Sequence, residues 1–63
     1  MLDLTPREYA AIRMLSRGST VNDIADFYHV TPRAIRFNLT AAMKKRKAKT
    51  YPHLVAKWLN RPR

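Results

Sequence analysis

Four of the five threonines punctuate this chain, and their positions limit it to short helices joined by abrupt turns. In Thr5-Pro6 and Thr31-Pro32, a hydroxyl that can cap free amide groups precedes a ring already set at the helical φ, which suits the first helical position. Glu8 lies three residues beyond Thr5 and completes a capping box; Asp23 stands in the same relation to Thr20 in a weaker version. The stretch "TYPHLVAKWLN" supplies a fourth helix, capped by Thr50 or Tyr51. The single glycine, Gly18, ends the first helix in "SRGS", because it takes up left-handed backbone cheaply. His29 holds the turn after the second helix, where glycine is the easier choice but histidine is tolerated. The spacing predicts helices over about 6–16, 21–28, 32–47 and 51–60 in a single all-α domain spanning 1–63, with "RPR" at the end frayed.

Each predicted helix carries an apolar stripe. Ala11, Ile12 and Leu15, flanked by Met14, form the first; Val21, Ile24, Ala25 and Tyr28 the second; Leu54, Val55, Trp58 and Leu59 the fourth. On the third, with Ile35 at zero and a step of about 100° per residue, Leu39, Ala42 and Met43 fall within about 80° of it. Arg33, Arg36, Phe37, Thr40, Lys44 and Lys47 fall between about 100° and 200°. The third helix therefore has a side that folding does not use, and that side is basic along its whole length.

Charge says what such a side could meet. Thirteen Lys and Arg against four Asp and Glu leave +9 on 63 residues, a field that points to a polyanionic partner. A basic domain with no nucleic-acid role is the bland alternative. The run "KKRKAK" lies between two amphipathic segments, so it reads as a helix end and short loop rather than a tail or targeting signal. No cysteine is present, which excludes disulfides and thiolate metal sites and is compatible with a reducing cytoplasm. No apolar run approaches the ~20 residues a bilayer requires, and the first residues lack a signal peptide's apolar stretch.

Catalysis has little to stand on. His29 and His53 belong to a turn and a late helix, and Asp23 with Asp26 is explained by capping and solvation. Without a glycine-rich phosphate loop or a metal-ligand cluster, the expectation is no enzyme, no cofactor, no metal and no small-molecule ligand.

Two helices joined by a turn of about three residues, the second with a basic outward face, make the helix-turn-helix arrangement. Ala25 is small where the two cross, His29 lies at the turn, and Val30 and Ile35 plug the angle. The stretch "LTPREYAAIRMLSRGSTVNDIADFYHVTPRAIRFNLTAAMKK" resembles the DNA-binding domain of LuxR-type (GerE-type) bacterial transcription regulators. Leu4, Thr5, Arg7 and Glu8 match that family's L-T-x-R-E opening, and Ile24-Ala25 its I-A. Ala34-Ile35 stand for the T-V of T-V-x-x-H, with Asn38 in place of the histidine. The likeness runs without gaps from Leu4 to about Leu59. It departs where the family reads K-L-G-V and this chain has Lys45, Arg46, Lys47 and Ala48, so that an apolar residue and a glycine stop give way to charges. No sensory or receiver domain is visible in the sequence.

The resemblance implies a four-helix domain binding double-stranded DNA in the cytoplasm, at the nucleoid, through the middle of the third helix. By position that means base contacts from Arg36, Phe37 and Thr40. Arg36 can give two hydrogen bonds to guanine, a pair worth ~1–3 kcal/mol of discrimination, whereas Phe37 suits a thymine methyl or, alternatively, a dimer or neighbouring helix. Thr31, Arg33, Asn38, Lys44, Lys45 and Lys47 suit phosphate, which fixes register without reading sequence. The family tends to dimerise through its fourth helix, which makes Val55, Trp58 and Leu59 candidates for a symmetric contact; burial of Trp58 in its own core is the equal alternative.

Two rivals stand beside this reading. One is a promoter-binding module like the fourth region of a sigma factor. The other is a small adaptor or anti-regulator that grips a transcription factor or an RNA polymerase subunit, with Phe37 and Trp58 as its anchors.

Overall fold

In the computed structural model, which describes residues 4–60, every helix opens on a threonine cap. The helices are α1 (Pro6–Ser16), α2 (Val21–Tyr28), α3 (Pro32–Arg46) and α4 (Tyr51–Leu59). The hydroxyls of Thr5, Thr20, Thr31 and Thr50 accept from the amides of Glu8, Asp23, Ala34 and His53 at 3.1–3.2 Å. Both capping boxes close: Glu8 accepts from the Thr5 amide at 3.1 Å and Asp23 from the Thr20 amide at 3.0 Å. The choice between Thr50 and Tyr51 falls to Thr50, and His53 reaches back so that its Nδ1 accepts from the Lys49 amide at 3.1 Å. The fraying expected at 61–63 lies outside the described residues.

The helix ends repeat one another as closely as the starts. After α1 the amides of Ser19 and Gly18 turn back to the carbonyls of Met14 and Leu15. After α2, Val30 and His29 do the same to Ala25 and Asp26, and after α3, Ala48 and Lys47 to Met43 and Lys44. This is the Schellman pattern, which needs one left-handed residue at each turn. Gly18 supplies it at φ 96°, His29 and Lys47 at φ 56°. The predicted limits of 47 and 60 move in by one residue each: Lys47 is the turn that stops α3, and Asn60 caps α4.

Ala11, Ile12, Ile24, Ala25, Ile35, Leu39, Ala42, Leu54 and Trp58 make the core. Full burial of a side chain such as Ile12, Ile35 or Leu54 contributes about 1.5–3 kcal/mol each, before chain entropy is counted. Helices α1 and α3 each pack against all three others, whereas α2 and α4 do not approach one another. On α3, Ile35, Leu39 and Ala42 all point inward, which commits the opposite side of that helix to solvent.

Three consecutive residues of α1 each fasten it to a different helix. The Arg7 guanidinium lies 4.6 Å from the ring centre of Tyr28 on α2. Glu8 accepts from the Lys45 ammonium on α3 at 2.7 Å. Tyr9 meets Trp58 on α4 edge to face, with ring centres 4.7 Å apart. The opening motif is thus a structural clasp.

Candidate nucleic-acid interface

The sequence of α3, "PRAIRFNLTAAMKKR", holds no carboxylate, so nothing on the helix itself neutralises its outward side. Arg33, Arg36, Phe37, Thr40 and Lys44 are all exposed along it, and Lys47 is exposed at the turn that follows. Phe37 is 75% exposed in the midst of these charges. The cations at the end of α3, Lys44, Lys45 and Arg46, also sit where the helix dipole favours positive charge, so their presence costs the fold little.

Other predicted site residues are placed differently. Thr31 is exposed and already serves as the cap of α3 through its hydroxyl oxygen. Asn38 is half-buried on the flank turned away from Arg36. Lys45 stands apart from the outward set: it lies on the flank facing α1, where its ammonium holds the buried Glu8 carboxylate. Burial pushes that carboxyl up. The bond from Lys45, the Thr5 amide and the nearby ammonium more than reverse the effect, leaving Glu8 below its ordinary value of 4.5.

Helix α4 also divides its candidates. Trp58 is 9% exposed and packed on Tyr9, so it belongs to the protomer's own core, the alternative the sequence left open. Val55 is half-buried, and Leu59, expected on the apolar side, is 64% exposed. Arg46 stands where the resemblance calls for an apolar residue; it is exposed, and Ala42 is the last fully buried position of α3.

The family model of bacterial regulatory proteins of the luxR family (GerE) matches residues 2–57. The chain belongs to that family. No curated protein and no solved structure matches it. Membership in the luxR family makes DNA binding in the regulation of transcription the class of function, and the family's all-α fold agrees with the four helices. Among the described residues, no helix of this luxR-family chain is long and apolar enough to cross a membrane.

Reading from sequence missed two things in this region. The Glu8–Lys45 pair was legible in part: on the helical wheel Lys45 lies about 80° from Ile35, on the side away from Arg36, within reach of a neighbouring helix. The Arg7–Tyr28 contact had no signal in spacing, because it joins two helices whose crossing the sequence does not state.

Proposed function

We propose that this luxR-family chain binds double-stranded DNA by laying α3 in the major groove. Arg36, Phe37 and Thr40 reach base edges; Thr31, Arg33, Lys44 and Lys47 meet phosphates. Two copies, joined through Val55 and Leu59 on α4, read a two-part site.

The observation that carries this is the exposed Phe37 ring on a carboxylate-free basic helix. Leaving such a ring in water forgoes about 1.5–3 kcal/mol of burial, a loss that a groove contact would recover. Size agrees as well: a helix about 10–12 Å across fits a major groove about 12 Å wide.

In vitro selection from random duplexes, with the mass of the selected complex measured, tests both parts. A two-part motif bound by two copies is expected, and Leu59→Asp should reduce the complex to one copy. Arg36→Ala should flatten preference at one position by about 1–3 kcal/mol. Selection without any preferred sequence, or an Arg36→Ala protein with unchanged preference, would remove α3 as the reading element.

A further inference from the structure

A second surface lies between α1 and α2. A groove of about 360 Å³ is lined by Tyr9, Ala10, Arg13, Met14, Arg17, Phe27 and Tyr28, and no residue of α3 contributes to it. Its character is mixed in a particular way. Phe27 is 65% exposed although it stands beside the core residues of α2, and its ring meets Tyr28 edge to face at 5.0 Å. Met14, Ala10 and Tyr28 supply half-buried apolar surface, and the thioether adapts readily to whatever apolar group lies on it. Both ionisable groups in the lining that carry charge at neutral pH are arginines, Arg13 and Arg17, and both are exposed.

We propose that this groove docks an acidic peptide segment of a partner protein, one that carries a bulky aliphatic or aromatic anchor between its carboxylates. The charge complementarity sets the sign of the occupant, since Arg13 and Arg17 would form two-pronged bonds to Asp or Glu. The apolar lining sets its class. A duplex backbone would satisfy the arginines but leave Phe27, Met14 and Ala10 against phosphate and water. A peptide with an anchor satisfies both, and aromatic and arginine side chains are the groups that dominate such contacts. Because α3 does not line the groove, a partner can occupy it while α3 holds DNA.

The net charge will draw any acidic peptide, so the test turns on the anchor and the place. Fluorescent peptides of equal negative charge, with a central Phe-Leu pair or with alanines there, are titrated into the full chain, and amide shifts are mapped by NMR. The anchored peptide should bind at least tenfold more tightly than the alanine version, with shifts at Ala10, Arg13, Met14, Arg17, Phe27 and Tyr28. Phe27→Ala and Arg13→Gln/Arg17→Gln should each lower that affinity about tenfold, and Phe27→Ala should leave duplex affinity within twofold. Equal binding of the two peptides would overturn the proposal. So would shifts on α3 with competition by duplex, tighter binding of a single-stranded oligonucleotide at the groove, or self-association through it. Retained duplex binding in every arm keeps failure here separate from failure of the α3 reading.

Discussion

Glu8 shows how one residue can carry several contacts that its position in a motif conceals. Its carboxylate, in a side chain 7% exposed, accepts from the Thr5 amide and from Lys45 and so holds the start of α1 to the end of α3. Folding lowers its pKa, so its contribution is present above the unfolded value of 4.5 and is lost as pH falls through the lower folded one. Asp23, held below its ordinary 3.8 first by the Thr20 amide and then by the Thr20 hydroxyl, adds a slope of the same sign in more acid solution. Urea denaturation followed across pH should therefore show stability falling below 4.5. Glu8→Gln keeps the cap's acceptor oxygen and removes the charge. It should lower stability by about 1 kcal/mol at neutral pH, since the partner ammonium is within reach of water, and flatten the acid limb. Parallel pH profiles for the two proteins would mean the ion pair contributes nothing. A loss of 1 kcal/mol matters here, because a domain of 63 residues has only about 3–9 kcal/mol of stability in all.

At the scale of elements, three helices end in the same hydrogen-bonded turn while only one of the three turns has glycine. A side chain in left-handed backbone costs about 1–2 kcal/mol, partly offset because glycine loses more freedom on folding. His29→Gly and Lys47→Gly should each raise stability by about 0.5–1 kcal/mol, seen as a Tm higher by about 4 °C. A lower Tm in either variant would mean the side chain holds its turn through packing. These ends also mark how far sequence carries. Thr-Pro pairs and T-x-x-[DE] boxes act within one turn of chain, so helix starts, the glycine turn and the inward row Ile35, Leu39, Ala42 were legible. The stop of α3 was displaced by one residue because Lys47 gives no local signal of left-handed backbone. The outward row Arg33, Arg36, Phe37, Thr40 and Lys44 was legible for the same reason as the inward one, since a wheel fixes both together. Trp58 and Lys45 were legible only as far as their flank. Whether an amphipathic residue on a helix flank turns to solvent depends on which neighbour lies alongside, here Tyr9 for one and Glu8 for the other.

For the molecule as a whole, +9 spread over so small a surface makes any duplex attractive, and the useful question is which charges release counterions on binding. The proposed contacts assign Arg33, Lys44 and Lys47 to phosphates, with Arg36 spent on a base. Three neutralised phosphates give a slope of log affinity against log salt of about −2.7 for one protomer and twice that for two. Lys44→Gln should weaken binding to all sequences alike and reduce the slope's magnitude by about 0.9 per protomer. Lys45→Gln, one residue away, should behave in the opposite manner: a lower Tm from the loss of its bond to Glu8, and an unchanged salt slope. Titrations of one duplex at several salt concentrations, with melting curves for each protein, separate the two lysines. Were Lys45→Gln to reduce the slope as Lys44→Gln does, the ammonium would have to leave Glu8 for a phosphate on binding. The clasp between α1 and α3 would then open whenever DNA is held, and stability and affinity, which the fold keeps on opposite flanks of one helix, would be coupled through a single side chain.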